Sequence, residues 1–321
     1  MPSSNEIPVF FTIDDGYAPY LSTALYSAVS NASPDRQYHI YVIHEDLTPE
    51  NQARLGALAT DNFKIDFIPM QMELDSITNS SANFLRCDFF TLTIFFRIFI
   101  PDMFPQYDKG IYIDSDTVIL DDLSKLYDID LEGNYLAASL DYSIWDIAPF
   151  MEYTREAVGI PDKNYFNSAI LLMDMKTLRE KHLGEHFLDL LTTYHFDTVD
   201  PDQAYLNAMC LGHVKFLPPT WDVMPGEHVL TPDDKPQLIH YNLFSKPWYY
   251  DDIAYESYYW QYAPDCGFYQ EILDGKANYS DEQKDADQAT MQRMCDNAIS
   301  IVQNDDVTFR KMYESGVKIR L

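Results

Sequence analysis

Along the first third of the chain, short β-branched or aromatic runs alternate with amphipathic stretches, and this rhythm leaves few folds open. Pro8-Val-Phe-Phe-Thr-Ile is followed by a helical pattern over Tyr20 to Val29, then by Tyr38-His-Ile-Tyr-Val-Ile. A second helical pattern over Pro49 to Ala59 precedes the alternating Phe63-Lys-Ile-Asp-Phe-Ile. Strands joined by a helix-length crossover pair in parallel, whereas a tight turn joins antiparallel neighbours. The expected class is therefore α/β, a parallel sheet covered by helices, and such sheets dock ligands beyond the carboxyl ends of their strands.

Further strands are expected at Gly110-Ile-Tyr-Ile, which ends in Asp114-Ser-Asp116, at Asn134 to Leu140, at Ser168-Ala-Ile-Leu-Leu-Met and at Gln237-Leu-Ile-His-Tyr. Helices are expected near Thr177 to Thr192 and Asp202 to Cys210. The segment Phe89 to Ile100 is left open, because its residue types favour strand while its length permits a buried helix. From Ser280 onward Met, Cys, Ile and Val recur at helical intervals to Asp306, and Val307 to Leu321 is mildly basic. This reads as a helical C-terminal extension that packs on the main body, with a subunit contact or an acceptor contact as alternatives.

Charge narrows the function. Over 321 residues, 22 Lys and Arg face 51 Asp and Glu, a net charge of −29. A body so acidic repels nucleic acid and anionic lipid, and it needs local positive charge to take a phosphorylated ligand, most economically a metal ion. No run approaches the ~20 apolar residues of a membrane span. Peripheral contact with a membrane stays open. The opening MPSSNEIPVF has no basic segment followed by an apolar one, and Cys87, Cys210, Cys266 and Cys295 are too dispersed for a zinc pattern or a disulfide framework. A cytoplasmic location is expected.

Two carboxylates one residue apart at a strand end share a face and reach one hard cation. Asp114 and Asp116 fit that description. Asp128/Asp130, Asp200/Asp202 and Asp285/Asp287 repeat the spacing, but only Asp114-Ser-Asp116 closes a compact strand of the βαβ region. Asp128/Asp130 and Asp285/Asp287 are expected on solvated turns or helix faces. A second group, His240-Tyr-Asn-Leu-Phe-Ser-Lys246-Pro-Trp248, offers an imidazole and an ammonium. Two carboxylates with one imidazole suit Mn²⁺, and Mg²⁺ acceptably. At the end of the first strand, Asp14-Asp15-Gly16-Tyr17 reads either as a nucleobase clamp or as a capped turn.

Taken together these motifs resemble the family 8 retaining glycosyltransferases, the group containing bacterial lipopolysaccharide galactosyltransferases and glycogenin. The likeness covers roughly the first 265 residues and rests on 11–17, 111–118, 137–141, 165–173, 200–207 and 240–248, in the family's order. It implies a GT-A fold: a Rossmann-like nucleotide-sugar-binding catalytic domain over 1–265, followed by the extension at 266–321. It also implies a UDP-sugar donor, with glucose or galactose moved to a glycan, glycoprotein or glycolipid acceptor. By carry-over Asp14 and Tyr17 hold the uracil, and Thr12 and Ser115 complete the nucleotide side. Asp114, Asp116 and His240 hold Mn²⁺ on the diphosphate, and Lys246 neutralises phosphate oxygens. Arg97, Asp141, Asn167, Asp202 and Gln203 line the donor sugar, with a structural ion pair as the alternative for Arg97. Where the family commonly has a glycine after the histidine, this chain carries Leu243-Phe244-Ser245.

The resemblance also implies that Gln203 stands where the family would need a nucleophile, and a neutral amide is a poor one, so front-face attack is expected, with Gln203 shielding the oxocarbenium-like centre and Asp202 orienting the sugar. Two other readings compete. Ile111 to Val118 also looks like the nucleophile motif of haloacid-dehalogenase-type phosphatases, with Asp114 attacking phosphorus, but that family carries the motif near its start and needs a later acidic pair after a strand, whereas Asp233-Asp234 and Asp251-Asp252 sit in polar or aromatic loops. The aromatic run Trp248 to Trp260, with Tyr262, suits a catalytically silent sugar-binding module or, more plainly, a core.

Overall fold

The structure is a computed structural model, and it describes residues 6–70, 92–161, 163–226, 230 and 234–321. Cys87, Phe89 to Thr91 and Asp233 lie outside the described residues.

Nine strands are present among them: β1 (Glu6–Ile13), β2 (Gln37–His44), β3 (Phe63–Pro69), β4 (Lys109–Ile113), β5 (Thr117–Ile119), β6 (Leu136–Ala138), β7 (Ile170–Asp174), β8 (Val214–Phe216) and β9 (Leu238–His240). Seven form one sheet in the order β3-β2-β1-β4-β7-β6-β8, and β5 pairs with β9 in a separate ribbon. The β3-β2-β1-β4 half is parallel throughout, as the βαβ rhythm requires. β7 runs antiparallel to β4 and β6, so the sheet is mixed rather than parallel.

Alternation along the strands divides the sheet into two faces. Ile7, Val9, Phe11 and Ile13 of β1 join Ile40, Val42, Ile111 and Ile113 on one side, where the helix Ala18–Asn31 packs. Phe10, Tyr41, Ile43 and Tyr112 face the other. With both faces covered, the strands read as nearly continuous apolar runs. Each such side chain contributes about 1.5–3 kcal/mol on burial. Ser27 ties the covering helix to the ribbon, because its Oγ accepts the Ile119 N–H at 2.9 Å.

The segment left open from sequence is helical where described, a 3-10 turn over Leu92–Phe95 leading into the helix Phe96–Met103. Its Phe96, Ile98 and Ile100 are buried in the core beside β1 and β4. Tertiary burial thus overrides a β-favouring composition. The single helix expected over Thr177 to Thr192 is two, Met175–Glu180 and Leu183–Tyr194, broken at His182, whose φ of 57° is left-handed. The strand expected over Asn134 to Leu140 shortens to β6.

The C-terminal segment is helical, with a long helix Asp281–Asn304 opened by a Ser280/Gln283 capping box. Its Met294, Ala298 and Ile301 join the main core, and Phe309 stacks on Phe196 at 4.1 Å. Asp287 departs from expectation. It is buried and accepts hydrogen bonds from Tyr250 and Tyr279 at 2.6 and 2.7 Å, so it anchors this helix instead of facing solvent. Asp128 is on the surface, ion-paired with Arg36. Within the aromatic run, Trp248, Tyr259 and Tyr262 are core residues.

Candidate functional site

β4 ends at Ile113 and the ribbon strand β5 begins at Thr117, so Asp114-Ser115-Asp116 is the short turn between two sheets. Strand alternation is therefore not what aligns the two carboxylates. The turn does, and β9 brings the third group, since Thr117 pairs with His240 across the ribbon. Donor atoms of Asp114, Asp116 and His240 lie within 4.8 Å of one another. Asp116 Oδ1 is buried and accepts no hydrogen bond, with His240 Nε2 3.5 Å away. Two carboxylates, one imidazole and an orphaned buried oxygen are a donor set that fits a divalent cation.

Lys246 is buried beside this group. Its ammonium donates to Asp116 and, at 2.5 Å, to the Tyr241 carbonyl. The loop that carries it turns at Leu243 with φ 47°, a left-handed conformation that favours glycine. The backbone thus keeps, with a leucine, the turn a glycine would make easily. Burial pushes the Asp116 carboxyl up, but Lys246 and His240 outweigh it and hold the group below its ordinary value. Burial likewise raises Asp114, partly offset by Arg97 and reinforced by the like charge of Asp116. Burial works against a charged His240, yet Asp116 and Asp222 prevail and its pKa is raised.

Arg97 occupies the floor. Its guanidinium stands 2.9 Å from Asp114 Oδ1 and 3.1 Å from Asp202 Oδ2, and it donates to the Ser168 carbonyl at 2.9 Å. Tyr112 donates to Asp114 Oδ1 at 2.5 Å and pairs with Thr12 Oγ1 at 2.9 Å, linking β1 to the turn. Gln203, on the helix Pro201–Cys210, is held at both ends. Its carbonyl accepts the Ser168 N–H at 2.9 Å, and its amide donates to Asp141 at 2.8 Å. Asn167 also donates to Asp141, at 3.2 Å.

At the end of β1, Asp14 accepts the Tyr17 N–H at 3.0 Å, so the capped turn exists, and both residues still line the cleft. Burial raises the Asp14 carboxyl. Every site residue named from sequence faces this one cleft: Thr12, Asp14, Tyr17, Arg97, Asp114, Ser115, Asp116, Asp141, Asn167, Asp202, Gln203, His240 and Lys246.

Sequence reasoning missed several neighbours. Asp200 lines the cleft, accepts from Tyr165 at 2.6 Å and from Gln203 at 3.2 Å, and burial pushes its carboxyl up to about 8. The acidic spacing 200/202 was visible, but nothing in it separated the roles of the two residues. Met294 brings the C-terminal helix to the cleft wall beside Phe150 and Tyr153. Its helical periodicity marked it as apolar, not where it would point.

The sequence profile of glycosyl transferase family 8 matches residues 8–252, and the chain belongs to that family. A putative glycosyltransferase of Haemophilus influenzae is 27% identical over 229 residues, which are 71% of this chain and 66% of the relative. The lipopolysaccharide 1,2-glucosyltransferase of Escherichia coli is 23% identical over 301 residues, 88% of this chain and 82% of its own. Among solved structures, the galactosyltransferase LgtC in complex with donor and acceptor sugar analogs superposes with a TM-score of 0.66 at 23% identity, over 87% of this chain and 99% of that one. The protein is thus a glycosyltransferase of GT-A fold, an enzyme class that transfers a sugar from a nucleotide-sugar donor to a carbohydrate acceptor and releases the nucleotide. No helix among the described residues is long and apolar enough to cross a membrane.

Proposed function

We propose that the chain is a retaining hexosyltransferase that moves glucose or galactose from a UDP-sugar to a glycan, glycoprotein or glycolipid acceptor, with Mn²⁺, or Mg²⁺ in its place, at the diphosphate. The observation that carries this reading is the convergence of Asp114, Asp116 and His240 within 4.8 Å, beside Lys246. Charge balance supports it. Apart from the protonated Asp200, the cleft is lined by the carboxyl groups of Asp14, Asp114, Asp116, Asp141 and Asp202 against Arg97 and Lys246. A diphosphate would be repelled from such a wall unless further positive charge joined it.

When bound, a divalent ion supplies Lewis-acid stabilisation of the charge on the departing diphosphate. Asp114, Asp116 and His240 are the residues that would hold it. Lys246 adds fixed positive charge at the leaving group, where it stabilises the transition state more than the ground state. Asp14 and Tyr17 hold the uracil, with Thr12 and Ser115 along the nucleotide. Arg97, Asp141, Asn167 and Asp202 position the donor sugar. Gln203 has its carbonyl tied to Ser168 and its amide to Asp141, so it favours shielding the anomeric centre over attacking it. Front-face attack is the retaining route we adopt.

Family membership displaces the phosphatase reading. We keep 1–265 as the catalytic unit and 266–321 as its extension, supported by a family match that stops at residue 252. A cytoplasmic location is proposed on the three described cysteines, Cys210, Cys266 and Cys295, which are all free.

The test is a panel of UDP-, GDP- and ADP-sugars with Mn²⁺, Mg²⁺ or EDTA, read as nucleotide release. The expected result is turnover of UDP-sugars only, strong loss with chelator, and near-complete loss in Asp116→Ala and His240→Ala. Full activity in EDTA would overturn the metal assignment, and tight UDP binding without turnover of any donor would favour a silent binding module.

A further inference from the structure

An imidazole can ligate a metal only through the nitrogen that carries no proton, so something must decide which of its two nitrogens that is. In His240 the two nitrogens face different partners. Nε2 looks toward Asp116 and the carboxylate pair, while Nδ1 lies 3.2 Å from Asp222 Oδ1.

Asp222 has no other visible employment. Its side chain is 0% exposed, it does not line the cleft, and its Oδ2 has no hydrogen-bond partner. A buried carboxylate without a donor is costly, so the one ring N–H within reach is a strong bond for it. The backbone fixes the pair. Val223 forms a parallel bridge to Ile239, with the Val223 N–H donating to the Leu238 carbonyl at 3.0 Å and the His240 N–H donating to the Val223 carbonyl at 2.9 Å. Asp222 and His240 therefore ride on two segments clamped to each other.

We propose that Asp222 is a positioning residue for His240. Its carboxylate accepts the Nδ1–H, which fixes ring orientation and tautomer and leaves the Nε2 lone pair aimed at the space shared with Asp114 and Asp116. This rests on the metal reading above. Carboxylate partners of ligating histidines set metal affinity, and their loss typically costs about 10–100-fold.

The test is Mn²⁺ titration of the full chain followed by the paramagnetic resonance of free Mn²⁺, together with ¹⁵N spectra of labelled histidine in the metal-free protein. With the spectra recorded at alkaline pH, above the titration of His240, expected are a His240 signal with Nδ1 protonated and Nε2 bare in the wild type, and mixed tautomers in Asp222→Ala. Mn²⁺ affinity should fall about 10–100-fold in that variant. Asp222→Asn keeps the shape and an acceptor oxygen, and should lose less. Asp222→Ala binding Mn²⁺ within twofold of wild type, with binding abolished in His240→Ala, would overturn this inference and leave the metal site standing. Undiminished binding in His240→Ala would overturn the metal reading and this inference with it. A wild-type spectrum with the proton on Nε2 would overturn the inference even where Asp222→Ala fails to fold.

Discussion

Replacing Arg97 with methionine separates two roles that the sequence left tied together, ligand to the donor sugar and structural counter-ion. Methionine keeps much of the aliphatic volume and removes the charge. What is lost is the guanidinium that stands 2.9 Å from Asp114 and 3.1 Å from Asp202, and its hydrogen bond to the Ser168 carbonyl. The side chains of Arg97 and Asp202 are only 6% and 3% exposed, so water cannot replace the missing charge. Breaking a buried pair by deleting one partner costs about 3–5 kcal/mol, a large share of the ~5–15 kcal/mol that holds a domain folded. A residue that served only a ligand would change stability by about 0.5 kcal/mol or less.

Urea unfolding followed by tryptophan fluorescence reads the difference directly. We expect Arg97→Met to lower the midpoint by about 1 M or more, taking a slope of about 3 kcal/mol per molar. The double variant Arg97→Met/Asp202→Asn should regain part of that loss, because the orphaned carboxylate goes too while Ser168, whose Oγ donates to Asp202 at 2.8 Å, still has a partner. Arg97→Met unfolding within about 1 kcal/mol of wild type would refute the reasoning and return Arg97 to a purely ligand-binding role.

Two further outcomes bear on the same cleft and on the sheet beneath it. The Asp200 carboxyl, raised by burial to about 8, stays protonated in the folded chain while the unfolded chain releases its proton near 3.8. Folding stability therefore falls as pH rises from about 4 to about 8 and levels off above, and Asp200→Asn removes that dependence. The melting-temperature advantage of Asp200→Asn should be larger at pH 8 than at pH 5, and an equal advantage at both would disprove the shift. In β4, a Cβ on Gly110 would lie 2.6 Å from Met175 Sδ and 2.7 Å from Phe10 Cε2. Gly110→Ala should cost about 1–3 kcal/mol, seen as a lower melting temperature, and an unchanged one would mean the two side chains yield freely.

Asp14, Asp114, Asp116, His240 and Lys246 were legible because each ends or follows an apolar strand, and α/β sheets carry their ligands beyond the carboxyl ends of their strands, although it took the β5/β9 ribbon to bring His240 to the carboxylate pair. Arg97 was legible because a guanidinium inside an apolar run demands a partner. Asp200 and Met294 were not, since their relevance depends on helices arriving from elsewhere. Asp222 lies 18 residues from His240, and no local pattern announces the Val223–Ile239 bridge that joins them. The Asp285/Asp287 pair misled for the same reason: two tyrosines from other segments converge on Asp287.

The sequence by itself determined the parallel half of the sheet, the ends of its strands and the chemical types gathered there, because periodicity, crossover length and residue chemistry are local properties. Tertiary structure alone decided the antiparallel insertion of β7, the turn that aims Asp114 and Asp116 at one point, the helix at Phe96–Met103 and the pairing of Asp222 with His240. Those depend on which distant surfaces exclude water together, and burial of that kind is a property of the whole chain.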